Sequence, residues 1–293
     1  MKKLIFDCDN TMGVKGHDVD DGLALLYLLG KANIEIIGIT TTYGNSDIET
    51  VHTNTDKMLK EIGRTDLNLY KGCSDRFTLD SEAVDFLVDT VNSDSGNISI
   101  LATGSLTNLY AAYLKDNLFF EKVAEIIIMG GITEDLVIND KVLDELNLAC
   151  DPIAAEWVFK KAKNISVITG NNCLDAFFTK SEFFNRLVAR EEPSAKYIYE
   201  KCMYWFEDMM HIFNIDGFHN WDIVAAVYLA EPALFQNKSK SIRPNQQNLK
   251  KGLLDNEQGD GLLTIINTPY IRNLEAFTDD VYNTWLSARL LII

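Results

Sequence analysis

Basic residues, cysteines and long apolar runs are all scarce in this sequence of 293 residues. There are 27 Lys and Arg against 43 Asp and Glu, and the net charge of -16 argues against a nucleic acid or an anionic membrane surface as partner. The five cysteines are scattered without a Cys-x-x-Cys pair, which favours a reduced, cytoplasmic setting. No apolar stretch approaches the roughly 20 residues of a membrane span, and Asp7 interrupts the apolar N-terminus, so we expect neither a span nor an export signal.

Linkers are missing as well. Proline occurs 5 times and glycine 17 times, and no stretch rich in Pro, Gly or Ser divides the chain, so we expect residues 1–293 to form a single domain. Short apolar runs alternate with amphipathic segments, and these runs predict strands at 4–6, 34–43, 98–105, 125–131 and 165–170. The alternation predicts an α/β fold with a doubly wound, mostly parallel, open sheet flanked by helices.

The last third of the chain departs from this alternation. Its pattern is helical and rich in aromatic residues from 181 to 229. Residues 249–266 are predicted to form two strands joined by a turn at 256–261, because that turn is rich in Gly and Asp. A final helix is predicted over about 273–290.

The first predicted strand ends in a group of acidic residues. Asp7 and Asp9 lie at its end, and Asp18, Asp20 and Asp21 lead into the next helix. Five carboxylates this close in sequence would repel one another if all were buried and ionised, so the group needs a cation or must hold protons. Helix capping accounts for one or two of them. Because open α/β sheets bind ligands at the carboxyl ends of their strands, we expect a metal or acid–base site here.

One interpretation of this stretch is a phosphatase. Residues 6–11, Phe-Asp-Cys-Asp-Asn-Thr, resemble the first motif of the haloacid-dehalogenase-like phosphatases. By that resemblance Asp7 would be the nucleophile that accepts a phosphoryl group, Asp9 the acid/base, and Mg²⁺ the cofactor. Thr103 follows a later strand in a suitable place, but no Lys followed by a strand-borne Asp-Asp pair is evident.

A second resemblance extends through most of the chain. Segments in six places resemble, in the family's order, the motifs of the inosine–uridine-preferring nucleoside hydrolases. They are Asp7-Cys8-Asp9 with Asp20-Asp21-Gly22, then 39–45, 102–108, 127–131, 145–155 and 222–227. Any one of these matches is unspecific, but their shared order favours this family over the phosphatases.

The resemblance implies calcium-dependent hydrolysis of the N-glycosidic bond of a ribonucleoside, which releases base and ribose. By the same resemblance the metal ligands are Asp9, Asp21, Asp222 and the backbone carbonyl of Thr103, and such oxygen ligands suit Ca²⁺. Asp9 would also be the general base on a metal-bound water. The residues that would hold the ribose are Asp20, Asn45, Met129, Glu145 and Asn147. The family is commonly dimeric or tetrameric, so a homo-oligomer that binds a small nucleoside is expected.

Three departures from the family concern the leaving base. Ten residues, 10–19, stand where members have two or three, so this loop must pass over or beside the site. The family's loop after the strand near Tyr70 is absent. Trp221 stands where many members have a His that protonates the base; it can stack on a base, and His219 or His17 is left as the candidate proton donor.

The sequence thus predicts an intact ribosyl half and an altered leaving-group half, with Trp221 and His219 among the residues that bind the substrate. Asp7, which shares a strand face with Asp9, is expected to support the site from behind by hydrogen bonding. A protein that binds ribose or a nucleoside without cleaving it is the other alternative.

Overall fold

The computed structural model describes residues 1–255, 263–288 and 290. The strands of its main sheet are β1 (Lys2–Cys8), β2 (Ile34–Thr41), β3 (Leu69–Lys71), β4 (Ile98–Ala102), β5 (Glu125–Met129), β8 (Ile165–Ile168), β12 (Ser239–Ile242) and β13 (Thr264–Asn267). Their spatial order is β12-β13-β8-β5-β4-β1-β2-β3. Neighbouring strands pair in parallel except for β12 and β13, which are antiparallel. The prediction of a mostly parallel α/β sheet is therefore confirmed.

Helices cover both faces of this sheet, and short two-stranded antiparallel sheets lie outside it. The helices are α1 (Asp20–Gly30), α2 (Ile48–Glu61), α3 (Glu82–Ser93), α4 (Thr107–Lys115), α5 (Phe119–Lys122), α6 (Pro152–Lys161), α7 (Gly170–Cys173), α8 (Lys180–Leu187), α9 (Pro193–Phe213), α10 (Trp221–Ala230), α11 (Gln246–Leu249) and α12 (Leu274–Ser287). The outer strands are β6 (Leu136–Ile138), β7 (Lys141–Leu143), β9 (Phe177–Thr179), β10 (Gly217–His219), β11 (Phe235–Gln236) and β14 (Tyr270–Ile271). None of the described helices is long and apolar enough to cross a membrane.

Strand β1 shows how the sequence builds this layered core. Successive side chains of a strand point to opposite faces of the sheet. Leu4 and Phe6 accordingly belong to the apolar cluster on one face, whereas Ile5 belongs to the cluster on the other, and all three are fully buried. A central strand covered by helices on both sides therefore reads as a continuous apolar run.

The C-terminal third differs from its prediction in two respects. Gly217–His219 form β10, paired with β9, inside the range 181–229 that is predicted to be helical. Leu249 ends α11 and does not begin a strand, because the Asn245 side chain accepts a hydrogen bond from the Asn248 N–H and so caps a short helix. The antiparallel partner of β13 is β12. The predicted turn at 256–261 lies outside the described residues. The last helix, Leu274–Ser287, is close to its predicted range.

Four central strands end at one edge of the sheet. Cys8 at the end of β1 pairs with Thr41 of β2, and Asp7 pairs with Ala102 of β4. Met129 at the end of β5 pairs with Ile168. Residues that directly follow these strands, Asp9 and Thr103 among them, are thereby brought together although they are far apart in sequence.

Candidate functional site

A cavity of about 380 Å³ opens at this edge of the sheet. That volume lies within the usual range for small-molecule sites. Most of the predicted site residues line it: Asp20, Asn45, Thr103, Met129, Glu145, Asn147, His219, Trp221 and Asp222. Asp9 and Asp21 are buried beneath, at 0% and 1% exposure. Segments from four strand ends and two helix starts therefore build one site.

The acidic group lies at the floor of the cavity. Asp20 and Asp21 begin α1, and Asp222 is in the first turn of α10. The two helix starts touch, because the Asp222 N–H donates to the Asp20 carboxylate at 3.3 Å. Oxygens of Asp18, Asp20 and Asp21 lie within 4.8 Å of one another. A carboxylate at a helix N-terminus is favoured by the helix dipole, but two helix starts do not compensate so many buried charges.

Burial dominates the electrostatics of this group. Desolvation raises the pKa of Asp9 to about 7 and that of Asp20 to about 6, from the ordinary value of 3.8. Desolvation, followed by repulsion from the neighbouring carboxylates, raises the pKa of Asp21 and Asp222 well above the same value. Repulsive carboxylates of this kind indicate a site made for a cation.

The donor atoms fit a hard divalent cation. One oxygen of Asp20 and one of Asp21 are buried without a hydrogen-bond partner, and buried polar atoms are seldom left so. None of the described residues that line the cavity is Lys or Arg, so no side chain there neutralises the carboxylates. Carboxylate and carbonyl oxygens are the ligands of Ca²⁺ and Mg²⁺. The group of oxygens within 4.8 Å of one another contains Asp18 and Asp20 besides Asp21, whereas the resemblance assigned the metal to Asp9, Asp21, Asp222 and Thr103. That assignment stays a prediction.

Asn45 holds the carboxylate of Asp9 in place. The Asn45 backbone N–H donates to one Asp9 oxygen at 2.7 Å, and its side-chain amide donates to the other at 3.1 Å. The same amide donates to Asp18 at 2.9 Å. Asn45 thus orients two carboxylates, and its predicted contact with ribose is untested.

Thr103 and Asn147 join the floor to the wall of the cavity. The Thr103 hydroxyl donates to Asp21 at 2.6 Å. The Asn147 amide donates to the backbone carbonyls of Thr103 and Met129 at 2.9 and 3.1 Å. The predicted carbonyl ligand therefore faces the site, and Met129 forms part of the apolar wall next to it.

Glu145 is turned towards backbone donors. Its two oxygens accept the N–H groups of Gly131, Leu148 and Ala149 at 2.9 to 3.0 Å. These bonds fasten the loop after β7 to the end of β5, which gives Glu145 a structural task that the sequence did not reveal. Its predicted contact with ribose stays a prediction.

The opposite end of the cavity is aromatic and apolar. The His219 ring lies between Phe177 and Trp221, and its centroid is 5.0 Å from that of Phe177 and 5.2 Å from that of Trp221. Burial lowers the pKa of His219, opposed in part by a hydrogen bond with the Leu174 backbone, and its Nδ1 has no hydrogen-bond partner. His17, the other candidate donor, does not line the cavity; its Nδ1 is 2.8 Å from the Asn45 carbonyl oxygen.

Asp18 and Trp205 are among the cavity-lining residues to which no role was assigned at the level of sequence. Asp18 belongs to the acidic group but received no role from the resemblance; it lines the cavity and shares a donor, the Asn45 amide, with Asp9. Its position two residues before Asp20 was a usable signal. Trp205, on α9, also lines the cavity; nothing in the helical pattern of that segment distinguished it from a core residue.

Asp7 lies behind the site, as expected. It is fully buried, and one of its oxygens accepts hydrogen bonds from Thr40 at 2.6 Å and Asn108 at 2.8 Å. It does not line the cavity. A phosphatase nucleophile must reach its substrate, and a phosphate site needs cationic groups, so this geometry disfavours the phosphatase interpretation.

Comparison with known proteins leads to one family. The model of the family described as "Inosine-uridine preferring nucleoside hydrolase" matches residues 4–261. The probable uridine nucleosidase 2 of Oryza sativa subsp. japonica is 24% identical over 287 residues, which cover 88% of this chain and 82% of that protein. A solved plant nucleoside hydrolase has a TM-score of 0.86 at 24% identity, covering 97% of this chain and 99% of its own. The solved purine-preferring ribonucleoside hydrolase of Gardnerella vaginalis has a TM-score of 0.81 at 22% identity, covering 98% of this chain and 99% of its own. At these identities the solved structures show the fold alone.

Proposed function

This chain belongs to the inosine–uridine preferring nucleoside hydrolase family, and we propose that it catalyses the calcium-dependent hydrolysis of the N-glycosidic bond of a ribonucleoside. The predicted class of enzyme, an N-glycosidase, is confirmed by the family. The identity of the metal, the role of each residue, a cytoplasmic location and a dimeric or tetrameric assembly are predictions.

The observation that carries the proposal is the buried carboxylate group at the floor of the cavity. Asp9, Asp21 and Asp222, with the Thr103 carbonyl, would hold the ion, and Asp18 is close enough to take part. When bound, calcium would supply positive charge that favours loss of a proton from water and orients sugar hydroxyls. The unpartnered oxygens of Asp20 and Asp21 support this proposal, since they otherwise lack a compensating contact.

Asp9 is our candidate for the general base. Its two oxygens are fixed by the two N–H donors of Asn45, so the remaining lone pairs have a set direction. A base held in this way removes a proton from water as the water attacks C1′ of the ribose. The Asp20 oxygen that has no partner would accept a hydrogen bond from a ribose hydroxyl. Asn147, which spans the ends of β4 and β5, would fix the other side of the sugar.

Release of free ribose from uridine and inosine tests the proposal. We expect turnover with calcium, none after chelation with EDTA, and recovery when calcium is restored. Asp9→Asn should lower kcat by roughly 100-fold or more, because it removes the base and preserves the shape. The matched control is Asp66→Asn, a surface residue paired with Arg64, which should leave kcat unchanged. Nucleoside binding without ribose release at any enzyme concentration would support the alternative of a binding protein.

A further inference from the structure

Resting on the proposed function, we propose that the substrate carries a cationic heteroaromatic base, as in an N-ribosylpyridinium or an N7-alkylated purine nucleoside. The chemistry balances without a proton donor at the base. Water adds to C1′ and gives up a proton, while the electron pair of the C1′–N bond passes to the ring nitrogen. That nitrogen changes from cationic to neutral, so the products are ribose, a neutral base and one proton.

The wall where the base would lie is apolar and aromatic. Its side chains, all lining the cavity, are Leu136, Ile138, Trp205, Met209, Phe213 and Trp221. The two indole rings present π-faces or N–H groups that cannot give up a proton at neutral pH. Aromatic faces attract organic cations, and indole does so most strongly. This wall therefore suits a flat cation better than a neutral base that must be protonated as it leaves.

The single imidazole among the described lining residues is poorly placed as an acid. His219 is packed between Phe177 and Trp221, and its Nδ1 has no hydrogen-bond partner. A ring enclosed in this way is favoured as the neutral imidazole, which offers no imidazolium proton. A neutral base would leave as an anion unless a donor protonated it, and this wall offers no such donor. A cationic base leaves as a neutral molecule and needs no donor.

The charge of the cavity has the matching sign. Five acidic side chains and no Lys or Arg line it in the described part of the chain: Asp18, Asp20, Asp144, Glu145 and Asp222. Two of the five, Asp144 and Glu145, lie outside the group of carboxylates placed around the metal. Asp144 follows the hairpin β6–β7, which carries Ile138, and is exposed at the rim. Such a cavity concentrates cations and disfavours anions.

The preference of the cavity for a cationic ring can be measured with inhibitors that do not react. We would compare 1-methylnicotinamide, a cation, with 3-methylbenzamide, a neutral molecule of the same shape, as competitive inhibitors of ribose release. The cation is expected to bind roughly 3- to 30-fold more tightly. Trp221→Leu should abolish most of this difference, and Asp144→Asn should reduce it. Asp135→Asn, just before the same hairpin and outside the cavity lining, should preserve it. Equal or tighter binding of the neutral molecule overturns the inference.

Turnover gives the second measurement. With calcium present, kcat/KM for N-ribosylnicotinamide should exceed kcat/KM for uridine and inosine by at least about tenfold. If the neutral nucleosides are the better substrates, the inference about charge fails and the proposed hydrolase function stands. If neither kind of riboside releases ribose, the proposed function fails, and this inference fails with it.

Discussion

Removal of the metal should make the stability of this protein fall as pH rises. Burial raises the pKa of Asp9 to about 7 and of Asp20 to about 6 in the folded chain. A carboxyl group whose pKa is higher in the folded state binds its proton more tightly there, so folding is favoured at low pH. That stability is lost as the pH rises from about 4 to 7, through the unfolded and then the folded pKa.

The size of the effect follows from the two pKa values. The pKa rises from 3.8 to about 7 for Asp9 and to about 6 for Asp20. Since one pKa unit corresponds to roughly 1.4 kcal/mol, ionisation of each carboxyl is about 3 to 4 kcal/mol less favourable in the folded state. Calcium removes this penalty because it binds the ionised form. At 100 times its dissociation constant a ligand adds about 2.7 kcal/mol of stability. For a chain of 293 residues, whose entropy of unfolding is roughly 0.6 kcal/mol/K, we expect a rise in Tm of about 4–5 °C near pH 7.5.

Thermal unfolding with EDTA or calcium, near pH 5 and near pH 7.5, measures this directly. We expect the metal-free Tm to be lower at the higher pH, and calcium to raise Tm far more there than at the lower pH. Asp222→Asn sharpens the test, because it removes one repelling charge and one proposed ligand. The variant should be more stable than the natural chain in EDTA and respond less to calcium. Equal calcium shifts at both pH values, or a metal-free Tm that increases with pH, would refute the reasoning.

Three further predictions concern single side chains. Asp9→Ala should lower kcat at least as much as Asp9→Asn while circular dichroism shows an intact fold. Tyr204→Phe removes hydrogen bonds to Gly13 and His17 in the loop 10–19, so it should lower the free energy of unfolding by about 1–2 kcal/mol in a urea titration; no loss of stability would mean that the loop is held by other contacts. Asn108→Ala should destabilise by about 2–4 kcal/mol, because Asn108 bridges Asp7, Thr41 and Cys73 in the core; the exposed Asn97→Ala is its control.

The sequence could predict the central strands and the meeting of the residues at their carboxyl ends. β1 is apolar on both faces, and a strand of that kind belongs to the middle of a parallel sheet. Once β1, β2, β4 and β5 are neighbours, the residues after them must converge at one edge. Asp9, Thr103 and Met129 each lie at the end of an apolar strand. The rule that parallel strands place their carboxyl ends at one edge of the sheet then brings the three residues together.

What could not be predicted depends on contacts between distant segments. Glu145 accepts the N–H of Gly131 at the end of β5, 14 residues earlier in the chain, and the residues next to Glu145 do not indicate this contact. Its other two donors, Leu148 and Ala149, are local. Trp205 reaches the cavity only because α9 crosses it, and a helical pattern does not tell which aromatic residue faces a ligand. The short helix α11 was missed because its four residues, with Leu249 the only apolar one, are too few to show a helical period.

Side chains outside the loop 10–19 anchor it, and its residue Asp18 lines the cavity. The Asn54 side chain donates to the carbonyls of Asn10 and Met12, each at 3.2 Å. Tyr204 accepts a hydrogen bond from the Gly13 N–H and donates one to the His17 carbonyl. Helices α2 and α9 thus hold the loop from two sides.

The same loop is fitted to the start of α1. A Cβ atom at Gly22 would lie 2.4 Å from the Met12 sulfur, so the first turn of α1 leaves room for Met12 only because residue 22 is glycine. A loop held by two helices and packed against a third keeps Asp18 where the Thr11 hydroxyl and the Asn45 amide reach it, at 3.2 and 2.9 Å. An acid fixed in this way is part of the cavity before any ligand arrives. Closure of this loop over a bound substrate would require those anchors to break.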